Sequence, residues 1–226
     1  HELRTPLNAI LGFAQLLQSD NDAPLTETQQ DSLKLIIHSG EHLLKLINDV
    51  LELAKIETGT VDVSIEPVNV NIAIKHCLPM LKNLAARYRV SIHTDDIPDQ
   101  LVLADLTKLK QVLINLVSNA IKYNRPDGEV IISVEVIDST KRLRITIRDT
   151  GIGIPQDKQA YLFTAFDRLG QENSGIEGTG VGLIVTKRLI KAMDGHIGFE
   201  SSENQGTRFW VELPITEENN IQNDEV

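Results

Sequence analysis

The stretch VIISVEVIDSTKRLRITIRDTGIGIP, residues 130–155, decides the fold. Apolar residues alternate with polar ones from Val130 to Ile137 and again from Leu143 to Arg148. That period of two predicts two strands, and the turn formers Asp138, Ser139 and Thr140 predict a hairpin between them. The second strand runs into Asp149-Thr150-Gly151-Ile152-Gly153-Ile154-Pro155. Gly151 and Gly153 permit backbone angles and close approaches that side chains forbid. Asp149 stands at the strand end as an acceptor, placed to receive an exocyclic amine such as that of adenine. By itself this segment also reads as a simple strand-terminating turn.

Working outward, Thr107 to Tyr123 has a helical period. At about 100° per residue, Lys108, Gln111, Asn115, Asn119 and Lys122 share one narrow stripe. Leu109, Leu113, Leu116 and Ala120 lie opposite and are expected to face a core. Amides within a helix are mildly unfavourable, so two asparagines one turn apart between lysines call for a reason. Carboxamide oxygens suit Mg²⁺, which keeps several waters and takes phosphate oxygens. On the other side of the hairpin, Gly178-Thr179-Gly180-Val181-Gly182-Leu183 opens a helix predicted over Thr179 to Met193, with Gly195 as its cap. Glycines ahead of a helix start offer N–H donors and a positive dipole end to phosphate. Leu169 to Gly178 reads as a lid, with Phe163 and Phe166 anchoring its base and Arg168 within reach of a phosphate. The segment is neither a P-loop nor a dinucleotide fingerprint.

Val70 to Arg87 reads as a helix kinked or broken at Pro79. Val61, Val63 and Ile65 alternate as a strand does, and Val90–His93 and Leu101–Leu103 read as short strands. Ile197–Glu200 and Thr207–Leu213 form a last hairpin around Glu203 to Gly206, with Trp210 assigned to the core. Hairpins separated by helices predict an α+β sandwich with a mixed sheet and helices on one face.

The first sixty residues differ in texture. Leu3, Leu7, Ile10, Leu11, Ala14 and Leu17 recur at helical steps, and Asn21-Asp22-Ala23-Pro24 breaks the run. Thr26 is expected as an N-cap with Gln29 completing a capping box, and Gly59 as the C-terminal cap of the second helix. Two such helices cannot close a core alone, and dimerisation into a four-helix bundle would cover them. On the first helix His1 and Thr5 stack one turn apart, with Glu2 beside the imidazole. A histidine with a reference pKa of about 6.5 and a carboxylate partner is a usable nucleophile near neutral pH. Pro6 would bend or loosen the helix just below it. His38 and His42 have metal-ligand spacing but no third ligand, so a structural role is expected. The chain starts at His1, within a helix already under way, and reads as a fragment of a longer protein.

Composition narrows the classes. The 226 residues carry 22 Lys and Arg against 32 Asp and Glu, a net charge of −10, and 4% aromatics. An acidic chain with few stacking side chains is a poor nucleic-acid binder. Four of those negative charges lie between Thr216 and Val226, an aperiodic tail expected to be disordered or a linker. The single Cys77 excludes an internal disulfide and fits a reducing compartment. No apolar run approaches the roughly 20 residues of a membrane span.

Each motif alone is weak, but their order is specific. The chain resembles the catalytic core of two-component sensor histidine kinases from His1 to about Pro214. His1 to Leu7 resembles the phospho-acceptor box, Lys108–Tyr123 the N box, and Phe163–Arg168 the phenylalanine box, with Ala165 where proline is frequent. Asp149–Pro155 and Gly178–Leu183 resemble the two glycine boxes. The resemblance implies an α-helical hairpin (a dimeric four-helix bundle, residues 1–59), then an α+β sandwich of the GHKL ATPase type (60–215), with 216–226 as the tail. It implies that His1 takes the γ-phosphoryl group of ATP with Glu2 as base. Thr5 would orient water for removing that group from a response-regulator receiver domain, the partner that receives it on an aspartate. ATP and Mg²⁺ are the implied ligands. Asn119 and Asn115 would hold the metal, Lys122 and Arg168 would meet phosphates, and Asp149 would bind the adenine amine. Tyr123, Gly151, Gly153, Ile154, Gly178, Thr179, Gly180, Val181, Gly182 and Leu183 would line the nucleotide. Asn115 replaces the water-activating glutamate of related ATPases, so hydrolysis is expected to be slow and Asn115→Glu to raise it. The implied location is cytoplasmic, any membrane attachment lying upstream of His1. Partner choice is expected on the first helix around Ala14, Gln15 and Gln18. A non-catalytic nucleotide-sensing dimerisation module is the alternative, and a hydrolytic ATPase clamp a third reading.

Overall fold

The computed structural model describes residues 4–19, 25–57, 62–95, 97–170, 176 and 178–216. The chain divides into two compact units, His1–Gly59 and Thr60–Val226. The predicted turn at Asn21–Pro24, the cap at Gly59 and the tail from residue 217 lie outside the described residues, as do His1 and Glu2.

The first unit is a helical hairpin of α1 (Arg4–Ser19) and α2 (Glu27–Glu57). Its start at α2 follows the predicted capping box. Thr26 N–H donates to Gln29 Oε1 at 2.9 Å, and Gln29 N–H donates to Thr26 Oγ1 at 3.3 Å. Leu7, Leu11 and Ala14 of α1 and Leu33 of α2 are buried. The helices approach closely where Gly40 faces Leu11; a Cβ there would lie 2.6 Å from Leu11 Cδ2. Arg4 Nε adds a hydrogen bond to Asn48 Oδ1 at 2.9 Å. Ala14 is only 4% exposed. It therefore belongs to the face packed on α2 and not, as the sequence suggested, to the exposed face with Gln15 and Gln18. Pro6 lies within α1.

The second unit is a layer of helices on a mixed five-stranded sheet. Its strands are β2 (Ser91–Thr94), β4 (Glu129–Ile137), β5 (Arg142–Asp149), β6 (His196–Ser202) and β7 (Gly206–Pro214), in the order β2-β4-β5-β7-β6. Among the described residues of this sheet only β2 and β4 pair in parallel. β1 (Glu66–Asn69) and β3 (Leu101–Ala104) form a separate antiparallel pair. The alternation at Val63 and Ile65 therefore does not make a strand. The ladder partner decides, and β3 pairs from Glu66 onward. Helices α3 (Val70–Tyr88), α4 (Leu106–Lys122) and α6 (Gly182–Ala192) cover one face, with α4 between the other two; α5 (Gln156–Gln159) is a single turn. The core lies between the layers, where Leu109, Leu113, Leu116, Ile132, Ile145, Ile147 and Leu189 are almost wholly buried.

Three local expectations change. Helix α3 runs unbroken through Pro79, which sits on its exposed side, so solvent takes the place of the missing N–H. Helix α6 begins at Gly182 instead of Thr179, and at its other end Asp194, not Gly195, takes the left-handed backbone, at φ 54°. Gly195 is required for a different reason: a Cβ there would meet Glu212 O at 2.7 Å. Trp210 is not in the core. It lies on the open face of the sheet, where the Arg144 and Arg208 guanidinium groups sit 5.5 and 5.4 Å from its ring, over a cleft that Gly198 leaves open.

Candidate nucleotide site

The loop that follows β5 is built around Asp149. Its Oδ1 accepts the Gly151 N–H at 2.8 Å and the Thr207 N–H at 3.1 Å, which binds the end of β5 to the start of β7. Among the described residues Oδ2 takes no hydrogen bond. The carboxyl is nearly buried, and burial pushes its pKa up to about 6 against the opposing pull of the two N–H donors. A buried carboxylate with one oxygen committed and one uncommitted is an acceptor waiting for a donor.

The two glycines after Asp149 are dictated by close approaches. A Cβ on Gly151 would collide with Tyr123 O, and one on Gly153, which takes φ 65°, would collide with Ser202 O. Ile152 N–H donates to Tyr123 O and its own carbonyl accepts from Asn204 N–H. Ile154 N–H donates to Ser201 Oγ at 2.8 Å. The loop is thereby clamped between the end of α4 and the β6–β7 turn. Asn124 and Thr150 complete the clamp: Thr150 Oγ1 donates to Asn124 Oδ1 and accepts from Glu129 N–H. Thr207, Ser201, Asn124 and Thr150 were not legible in the sequence, because they act through partners distant along the chain.

Helix α4 presents the stripe that the sequence predicted. Asp105 caps it, accepting from Thr107 and Lys108 N–H at 2.9 and 3.0 Å, and Leu109, Val112, Leu113, Leu116, Val117, Ala120 and Ile121 are buried. Asn115, Asn119 and Lys122 are half-buried on the other side. Asn115 Nδ2 donates to Thr186 Oγ1 of α6 at 2.8 Å. The Asn119 carboxamide makes no hydrogen bond among the described residues.

The residues that flank the predicted lid are tied to one another and to α5. Phe166 N–H donates to Gly180 O at 3.1 Å; Gly180 takes φ 72°, and a Cβ there would stand 2.8 Å from Phe166 C, so both the angle and the space call for glycine. Lys158 Nζ holds Leu169 O at 2.7 Å. Phe163 packs on Phe199, which packs on Phe209, while Lys187 of α6 covers the Phe163 ring at 4.7 Å. Arg168 donates to Ile176 O, and its buried Nε has no partner among the described residues. That Nε and the Tyr123 hydroxyl both lie 3.9 Å from where a Gly178 Cβ would be. Thr179 and Val181 are buried, and Gly182 and Leu183 open α6. Asp149, Gly151, Gly153, Ile154, Tyr123, Arg168 and Gly178–Leu183 therefore lie together with the polar stripe of α4. Thr5 belongs to α1 in the other unit.

Comparison with known proteins decides the family. The model of the histidine kinase-, DNA gyrase B- and HSP90-like ATPases matches residues 104–217, and that of the His Kinase A (phospho-acceptor) domain matches residues 1–59. The chain belongs to this ATPase family. With its phospho-acceptor segment it forms the catalytic core of a two-component sensor histidine kinase. The circadian input-output histidine kinase CikA of Synechococcus elongatus is 39% identical over 95% of this chain and 29% of its own length. The sensor histidine kinase GacS of Pseudomonas protegens is 40% identical over 95% of this chain and 24% of its own. The chain thus spans about a quarter of the length of these relatives. Full-length ShkA, solved in complex with AMPPNP, superposes with a TM-score of 0.79 at 33% identity, covering 96% of this chain and 44% of ShkA. ThkA, solved with the response regulator TrrA, gives 0.65 at 25% identity over 97% of this chain and 60% of that one. The helical hairpin followed by an ATPase sandwich is therefore the architecture of histidine kinase cores. No described helix is long and apolar enough to cross a membrane.

Proposed function

We propose that the chain phosphorylates His1 from ATP and passes the phosphoryl group to an aspartate of a response-regulator receiver domain. A phospho-acceptor segment and an ATPase unit in one chain carry this reading. The domain limits that go with it are 1–59, 60–215 and an acidic tail at 216–226. The uncommitted Oδ2 of buried Asp149 supports adenine recognition, since it can accept from the exocyclic amine. The open carboxamide of Asn119 fits a hard cation, with Asn115 one turn away. Mg²⁺ bound there would offset phosphate charge, and Lys122 and Arg168 would meet the same phosphates.

In the reaction an imidazole nitrogen of His1 forms the N–P bond as the bond from the γ-phosphorus to the bridging oxygen breaks, and ADP leaves. The imidazole N–H proton passes to Glu2. Asn115 has no basic oxygen with which to activate water, so the phosphoryl group is kept for the imidazole. Thr5 is suited to orient water when the regulator is dephosphorylated. The exposed apolar side chains of the hairpin support a homodimer. The reading places this catalytic core in the cytoplasm.

Radiolabelled ATP, supplied to the protein extended upstream of His1, tests the reading. Acid-labile label lost in His1→Gln and transferred to an added receiver domain is expected. Full labelling of His1→Gln would overturn the role of His1.

A further inference from the structure

Thr186 is a residue of α6 that the nucleotide-site motifs do not include. It is 1% exposed, and its Oγ1 accepts from Asn115 Nδ2 at 2.8 Å. The same carboxamide lies flat against Gly182, whose Cβ would stand 2.3 Å from Asn115 Oδ1 and 3.1 Å from Nδ2. Asn115 is therefore held by two residues one turn apart on α6, the helix whose first turn follows directly on the lid. An amide can present either end. Here the hydroxyl accepts from the nitrogen end, which leaves the oxygen toward Gly182.

From this geometry we infer that Thr186 is a positioning residue. It fixes the Asn115 carboxamide with its oxygen turned to the first turn of α6, and so prepares the oxygen ligand for the cation that accompanies the nucleotide. The inference rests on the reading of this unit as a Mg²⁺–nucleotide site. Thr186 touches neither ligand and acts only through Asn115. Removing the hydroxyl leaves a half-buried N–H donor without an acceptor, a loss that turning the amide would relieve. Turning it points the NH₂ group toward the cation.

The test compares ADP binding by calorimetry, with and without Mg²⁺, in the unaltered chain, Thr186→Val and Thr186→Ser. In the unaltered chain Mg²⁺ is expected to tighten binding. In Thr186→Val that gain should shrink about tenfold, roughly 1.4 kcal/mol, while metal-free affinity stays the same. Thr186→Ser should restore the gain. A merely structural role would instead weaken binding equally with and without Mg²⁺, or lower the melting temperature alone, and either result would overturn the inference. An unchanged Mg²⁺ gain in Thr186→Val would do the same. Failure of the unaltered chain to bind ADP under any condition would sink the nucleotide-site reading itself, and this inference with it.

Discussion

At the scale of single residues, Asp149 has opposed effects on stability and on binding. Its folded pKa of about 6 stands above the ordinary 3.8 because burial penalises the charged form more than the two N–H bonds favour it. A carboxyl raised in this way holds its proton more tightly folded than unfolded. Its contribution to stability is therefore complete below the ordinary value and is lost as pH rises to about 6. Above that the ligand-free protein carries the cost of an ionised buried group, on the order of 2–3 kcal/mol. Asp149→Asn keeps an oxygen for the Gly151 and Thr207 N–H groups and removes the charge. It should raise the melting temperature of the ligand-free protein at pH about 8, measured by calorimetry. Under the proposed role of Asp149, the same substitution sets an NH₂ group against the adenine amine and should weaken ADP binding by tenfold or more. In the unaltered protein nucleotide affinity should fall as pH drops through about 6. Concurrent loss of stability and binding in Asp149→Asn would count against this account.

Among the elements, α4 carries most of the polar site, and Asp105 sets where it starts. Burial raises the Asp105 pKa, but N–H donors from Lys108, Ser64 and Thr107, together with the Lys108 charge, outweigh it and the net shift is downward. Its stabilising effect is present above the ordinary carboxyl value and lost as pH falls through the lower folded one. Asp105→Ala should cost about 1–2 kcal/mol in urea denaturation near neutral pH, with a smaller difference in strong acid. Asp105→Asn should recover most of the loss. Helix α4, the β4–β5 hairpin and the Thr26–Gln29 capping box were legible in the sequence because each is a local pattern: a stripe, an alternation, a reciprocal side-chain cap. What was not legible depends on partners far along the chain. β1 begins where β3 can pair with it, Trp210 faces outward because β5 and β7 fix its register between two arginines, and Ala14 is buried because α2 brings Gly40 and Leu33 beside α1. Likewise Asn115 stood out in the sequence as an amide needing a reason, but Thr186, 71 positions away, did not.

At the scale of the whole molecule the two units differ in how well each closes its own core. The second unit buries its large side chains between sheet and helices. The hairpin leaves Ile10, Phe13, Leu16 and Leu17 of α1 and Leu35, Ile36 and Leu43 of α2 between 47% and 69% exposed. Covering what remains exposed of each would contribute roughly 1–2 kcal/mol, so a second hairpin is the natural complement under the proposed bundle. The double variant Phe13→Lys, Leu16→Lys alters side chains that are 69% and 65% exposed within one chain, so little packing inside the hairpin is disturbed. Facing a second copy, the same lysines would be buried without partners, at a cost that a dimer does not tolerate. Sedimentation equilibrium should therefore find the mass of one chain for the variant and of two for the unaltered protein at the same concentration. Because the units Gly59 and Thr60 divide are separately compact, ADP affinity should remain within about twofold. A variant that stays dimeric would place the interface elsewhere, and one that lost ADP binding together with the dimer would show that the ATPase unit depends on the bundle for its fold.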